Sequence, residues 1–222
     1  MSALKLVLGN KRYSSWSLRP WLVATHFGIP FEEIPVALEA PDRHERILRW
    51  SPSGRVPCLI DGDLHVWETL AIVETLAERF PEKPIWPRDP AARAVARAIS
   101  NEMHAGFGAL RSACPMNLRR TFPWRDWGGD AASADVARIV ALWRDARARF
   151  RAGGPFLFGE FSAADAMYAP VCFRLAGYSW PLDADARAYV DAVLTLPAVL
   201  AWREAAARET AIIADDEVDC AE

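Results

Sequence analysis

Three short stretches carry residue types that could do chemistry. The first is Tyr13-Ser14-Ser15-Trp16-Ser17, which closes a polar loop and opens a helical pattern. Backbone N–H groups at a helix start are unpaired and carry partial positive charge, so a hydroxyl beside them helps to hold an anion. Serine is also a preferred N-cap, and on local sequence alone capping is the favoured role. The second is Gly54-Arg55-Val56-Pro57, running into a strand. Proline withholds a ladder donor and belongs at a strand start. A cis Val56–Pro57 bond would turn the Val56 backbone toward an open edge, free to pair with an extended peptide-like ligand; the ordinary X–Pro bond is trans. The third is Glu68-Thr69, where a hairpin exits into a helix. A carboxylate and a hydroxyl there suit an ammonium and a carboxylate respectively, or they simply cap the helix.

Other chemistries lack their residues. There is no GxSxG elbow, HExxH pair or GxxxxGK[ST] phosphate loop. His26, His44, His65 and His104 have no ligand-like spacing, so no metal is expected. Cys58, Cys114, Cys172 and Cys220 form no CxxC pair and read as buried small hydrophobes. Gly106-Phe107-Gly108 falls inside a helical stripe, not after a strand, and is no dinucleotide fingerprint. The net charge of −3 provides no basic field for nucleic acid, and the 23 arginines against 3 lysines read as compositional bias. With 52% apolar and 25% charged residues the chain is globular in composition. No apolar run is long enough to span a membrane, and Met1 to Lys5 shows no secretory signal, so a cytoplasmic protein is expected.

The elements that must position these stretches follow from periodicity. Strands are predicted at 4–8, 31–37, 56–60 and 65–67, the last two joined by a hairpin turn at Asp61-Gly62. Helices are predicted from Ser15 to Phe27, from an Asp42 cap to Leu48, and along Leu70, Val73, Leu76 and Phe80. The order is β-α-β-α-β-β-α over residues 1–80. Residues 81–90 hold four prolines and read as a linker. Residues 91–222 read as all helical. One stripe runs through Val95, Ile99, Met103, Phe107, Leu110 and Cys114, a second through Val136, Val140, Trp143 and Phe150, and a third helix opens at Ser162. Shorter helices follow at 184–195 and 198–208, and the acidic tail Asp215 to Asp219 reads as a frayed, solvated end.

Taken in this order, the pieces resemble the glutathione transferase family. The resemblance runs from about Leu4 to Arg208 and is carried by YSSWSLRPW (13–21), SPSGRVPCL (51–59), WETLAIVETL (67–76) and FGEFSAADAMYAP (158–170). The last contains a Ser162-x-x-Asp165 capping box. The Ser-Ser-x-Ser-x-Arg pattern is most similar to the zeta class and related bacterial serine-type enzymes. It departs from zeta at Trp16, where cysteine is usual, and at Glu68-Thr69, where Gln-Ser is common.

The resemblance implies a thioredoxin-like first domain, an all-helical second domain, glutathione as co-substrate and a homodimer meeting through the third and fourth helices, with Gly106 and Gly108 permitting close approach. It implies that Ser14 hydrogen-bonds the glutathione sulfur with Ser15 as understudy, and that Val56, before a cis Pro57, pairs with the cysteinyl backbone. Glu68 and Thr69 would hold the γ-glutamyl end and Arg55 the glycyl carboxylate. The main reading is conjugation of glutathione to a small apolar electrophile in a site lined by Met103, Phe107, Met116 and Trp124, with Tyr168 and Phe173 as further candidates. His104 and Arg111 share the predicted helix of Met103 and Phe107 and could touch a polar substrate, with surface solvation the favoured role of each. The alternatives are glutathione-dependent isomerisation or peroxide reduction, and a non-catalytic binding protein of the same fold.

Overall fold

The computed structural model describes residues 3–218; Asp219 and Cys220 lie outside the described residues. Strands β1 (Leu4–Leu8), β2 (Phe31–Pro35), β3 (Cys58–Asp61) and β4 (Leu64–Trp67) form one sheet in the order β2-β1-β3-β4. β1 runs parallel to β2 and antiparallel to β3, and β3 antiparallel to β4. The hairpin pairs Asp61 with Leu64, so the turn residues are Gly62 and Asp63. Gly62 takes φ +61°, the left-handed value such a turn demands.

Period-two alternation decides the two faces. Leu4, Leu6, Leu8 and Leu59 join the large core beneath helices α1 (Ser15–His26) and α3 (Thr69–Arg79). Val7, Cys58 and Ile60 face the other way and make a smaller cluster with Val36 and Ile47, the latter on α2 (Arg43–Leu48). Asp42 does not cap α2 through its side chain; its carboxylate takes the Arg46 guanidinium at 2.7 Å instead.

The helical half comprises α4 (Pro90–Ala105), α5 (Gly108–Ala113), α6 (Gly129–Phe150), α7 (Ala163–Gly177), α8 (Ala184–Leu194) and α9 (Pro197–Arg208). α7 is its axis, buried along every residue from Ala163 to Leu175 and packed on α1, α4 and α8. The capping box at its start is present, and Asp165 also accepts from Leu157 N–H and Tyr189 OH.

Two expectations are corrected. The stripe from Val95 to Cys114 is two helices, because Gly106 leaves the helix and Phe107 takes φ +56°. The apolar spacing survives the break because both pieces pack against the same core. Gly106 and Gly108 therefore flank the break between α4 and α5. The acidic tail is not a frayed end as far as Val218. The Glu217 side chain is 3% exposed, accepts from Tyr13 OH at 2.6 Å and lies 3.2 Å from the Arg119 guanidinium.

Candidate active site

The three stretches meet in one cleft between the sheet and the helical half. Its larger lobe, about 540 Å³, is lined by Ser14, Ser15, Trp16, Val56, Met116, Ile213 and Asp216, among others. A smaller lobe of about 350 Å³ holds Pro57, Glu68, Thr69 and His104. Trp16, Arg55, Val56 and Arg111 line both lobes, so the indole stands at their junction.

Ser14 is the N-cap of α1. It accepts from Ser17 N–H at 3.4 Å and donates to the buried Ser17 hydroxyl at 2.8 Å, which in turn accepts from Gly9 N–H at 3.0 Å. The Ser15 hydroxyl accepts from the Arg174 guanidinium at 3.4 Å. Tyr13, also on the wall, has its hydroxyl committed to Glu217. Burial and that carboxylate both push its pKa up, so it stays protonated.

The Val56–Pro57 bond is cis, as the resemblance implies and against the ordinary trans expectation. Val56 precedes β3 and leaves its backbone groups without a partner among the described residues. Arg55 is exposed at the rim. Glu68 takes φ +69° at the start of α3, a left-handed conformation uncommon for glutamate, and its carboxylate reaches His104 Nε2 at 3.4 Å. The Thr69 hydroxyl donates to the Trp16 carbonyl at 3.2 Å, which ties α3 to the first turn of α1. At the first position of α3, the Thr69 backbone N–H has no intrahelical acceptor and is the group left for an anion.

Three guanidiniums gather behind Ser15 and Trp16. Arg19 is fully buried; its Nε and Nη1 donate to the carbonyls of Met167 and Ser15. Its charge lies 4.1 Å from the Trp16 ring, with Arg111 at 5.5 Å from that ring. Arg174, 5% exposed, donates to the Cys114 carbonyl and to Ser15. One nitrogen on each of the three has no hydrogen-bond partner. Burial and the neighbouring Arg111 charge pull Arg174 down to about 10, still cationic at neutral pH. Burial, aided by Arg19 and Arg111, lowers His104 against the pull of Glu68.

Of the residues expected to line the electrophile site, the structure brings Met116 to the cleft. Met103 is fully buried and Phe107 nearly so, both in the helical core. Tyr168 and Phe173 are core residues too, Tyr168 donating to the Ile99 carbonyl. Trp124 is exposed and packs on Trp180 outside the cleft. His104 and Arg111, read as solvated surface, line the cleft. Sequence reasoning gave no role to Arg19, the arginine of the Ser-Ser-x-Ser-x-Arg pattern, and missed Arg174. The available signal was a lone charge inside an apolar helical run, LRPWL and FRLAG. It also missed the tail residues Ile213, Asp215 and Asp216, for which no local signal exists.

This arrangement pairs a cleft for an extended, peptide-like ligand with a hydroxyl-capped helix start and a cationic floor. Two family models match the chain, the glutathione S-transferase N-terminal domain over residues 13–79 and the C-terminal domain over residues 128–205. A probable maleylacetoacetate isomerase from Caenorhabditis elegans is 34% identical over 180 residues, 79% of this chain and 83% of that protein. The glutathione S-transferase GstB of Escherichia coli K12 is 29% identical over 178 residues, covering 77% and 84%. A glutathione transferase homologue from Burkholderia, solved with bound glutathione, superposes with a TM-score of 0.71 at 21% identity, covering 94% and 100%. The chain belongs to the glutathione S-transferase family. Its sequence relatives include zeta-class members, and its fold is the thioredoxin-like domain followed by a helical domain.

Among the described residues no helix is long and apolar enough to cross a membrane, and no group of three or more His, Cys, Asp or Glu side chains is arranged to hold a metal ion. Cys58, Cys114 and Cys172 are free and buried.

Proposed function

We propose that this protein is a serine-type glutathione transferase that holds glutathione as its thiolate and delivers the sulfur to a small electrophile. The observation that carries this is the start of α1: the Ser14 hydroxyl caps the helix beside the Trp16 N–H, which finds no acceptor among the described residues, and shares its cleft with the Arg111 and Arg174 guanidiniums. A thiol of pKa about 8.5 is only a few per cent ionised at neutral pH. Lowering it by about 2 units takes roughly 2.7 kcal/mol of preference for the thiolate. One charge-assisted hydrogen bond supplies about 1.5–3 kcal/mol.

Glutathione lies with its γ-glutamyl end at Glu68 and the Thr69 backbone, its cysteinyl backbone along Val56 and its glycyl carboxylate at Arg55. The sulfur sits beside Ser14. The Ser14 hydroxyl holds its proton far more tightly than the thiol does, so it offers no base and can only donate a hydrogen bond. Ser14 donates to the sulfur by turning its hydroxyl away from Ser17, whose own proton then points to Ser14. The thiol proton leaves to solvent, the sulfur lone pair forms the new bond to carbon, and the leaving group departs with its electrons.

The electrophile occupies the larger lobe, its apolar body against Met116, Pro115 and Ile213 and an acidic group toward Arg111 and Arg174. Those two guanidiniums also favour a second reading, glutathione-dependent isomerisation of an unsaturated acid, in keeping with the name of the Caenorhabditis relative. The protein works in the cytoplasm as a homodimer joined through α3 and α4, and sedimentation at a mass near 24.7 kDa at micromolar concentration would contradict that assembly. The residues divide into a glutathione domain (1–80), a linker (81–90) and a helical domain (91–222). Calorimetric titration with glutathione, followed by rate assays on aryl halides, unsaturated keto acids and organic peroxides, tests the function. The expected result is glutathione binding with turnover of the first or second class. Binding without turnover of any class would leave a binding protein.

A further inference from the structure

We infer that Glu209, just past the end of α9 and outside the cleft, is a positioning residue for thiol activation because it clamps the loop that carries Ser14. The inference rests on the proposed role of Ser14. The loop between β1 and α1 is a tight turn in which Tyr13 N–H and Ser14 N–H both donate to the Asn10 carbonyl, at 3.2 and 2.8 Å. Lys11 and Arg12 form the middle of that turn, so its tilt decides where the Ser14 hydroxyl points.

Both of their N–H groups face outward, and the two carboxylate oxygens of Glu209 accept them, Oε1 from Lys11 at 2.7 Å and Oε2 from Arg12 at 3.0 Å. Two successive N–H groups aimed one way make a cradle for an anion, and a carboxylate fills both places at once. Neighbouring bonds fix the same turn from the helical half. Arg12 Nε donates to the Ala206 carbonyl at 2.9 Å, Trp202 Nε1 to the Lys11 carbonyl at 2.8 Å, and Leu118 N–H to the Arg12 carbonyl at 3.2 Å. The Lys11 ammonium goes elsewhere, to Glu33 at 2.7 Å. The C-terminal end of α9 thereby sets the geometry of a hydroxyl nearly two hundred residues earlier in the chain. Of the clamping groups, Glu209 alone holds two consecutive peptide groups with one side chain.

The test is the ultraviolet thiolate absorbance of the glutathione complex against pH, with steady-state kinetics, for wild type, Glu209→Ala, Glu209→Gln and the surface control Glu204→Ala. Displacing a hydrogen-bonding group by even an ångström costs up to a hundredfold in rate. Glu209→Ala is expected to raise the bound thiol pKa by about one unit and, through the smaller thiolate fraction, to lower kcat at neutral pH about threefold. The KM for glutathione should stay within about twofold, because the peptide is held on the other wall. Glu209→Gln keeps one carbonyl acceptor and should fall between, and it carries the test where the alanine variant does not fold. Glu204→Ala should match wild type.

An unmoved titration in a folded Glu209 variant overturns the inference, and so does a raised KM with kcat and titration unchanged. If wild type itself holds bound glutathione as the thiol at neutral pH, the reading of Ser14 fails first and the clamp's role fails with it.

Discussion

Replacing Asp165 by alanine removes the acceptor for four donors at the start of α7. Leu157 N–H and Ser162 N–H reach it at 3.1 and 2.8 Å, and the hydroxyls of Ser162 and Tyr189 at 3.0 and 3.1 Å. Hydroxyls can rotate to new partners, but the two backbone groups cannot. Each buried donor left unpaired costs about 1–3 kcal/mol, so the variant should lose about 4 kcal/mol. Chains of this size shift by about 2–4 °C per kcal/mol, which places the drop in Tm near 12 °C.

Ser162→Ala, which removes only a hydroxyl, should cost about 1 kcal/mol. Burial pushes the Asp165 carboxyl up to about 6, opposed by its backbone and side-chain donors. Its folded pKa thus exceeds the unfolded value, and the stability linked to its proton is fully present below about 3.8 and lost as pH rises through about 6. The loss on Asp165→Ala should accordingly be larger at pH 5 than at pH 8. The assay is calorimetric unfolding at both values with glutathione binding measured alongside. Equal losses for Ser162→Ala and Asp165→Ala, or an intact Tm with binding abolished, would contradict a structural role for the Asp165 carboxylate.

Arg174→Leu should lower kcat/KM for an acidic electrophile about tenfold to a hundredfold and for a neutral one less than threefold, since one charged contact is lost; equal losses on both would deny Arg174 a part in recognition. His104 titrates below its usual value through burial and the Arg19 and Arg111 charges, so on acidification the unfolded chain takes up its proton first. The stability it contributes is present above about pH 6.5 and lost as pH falls through the lowered folded value. His104→Gln should flatten the unfolding free energy between pH 7 and 5, and an unchanged slope would contradict the assignment.

The order of strands and helices was legible because alternation and three- to four-residue spacing are local properties. LKLVL alternates between the two cores, and the four prolines of 81–90 end the sheet half without ambiguity. The break at Phe107 was not legible, since both helical pieces bury the same stripe and only the φ of one residue separates them. The meeting of Ser14, Val56, Glu68 and Thr69 in one cleft, the proposed glutathione wall, was legible because these residues lie in contiguous motifs. The opposite wall, proposed to take the electrophile, was not, because it gathers single residues from α1, α5, α7 and the tail. Aromatic and thioether side chains at helical spacing, such as Met103 and Phe107, went to the core, while Arg174 and Asp216 reached the cleft from positions with no pattern of their own.

In the proposed mechanism the bound sulfur is an anion held by the Ser14 hydroxyl at the start of α1. The most direct test of that bond is the thiolate absorbance of the saturated glutathione complex, titrated for wild type, Ser14→Ala and Ser15→Ala. Wild type should ionise about 2 units below free glutathione. Ser14→Ala should move the midpoint up by about 1–2 units, the equivalent of one charge-assisted bond, with glutathione affinity little changed. Ser15→Ala, whose hydroxyl takes the Arg174 guanidinium, should move it far less. A midpoint that follows Ser15 and ignores Ser14 would contradict the assignment, and a wild-type midpoint equal to that of free glutathione would contradict thiol activation itself.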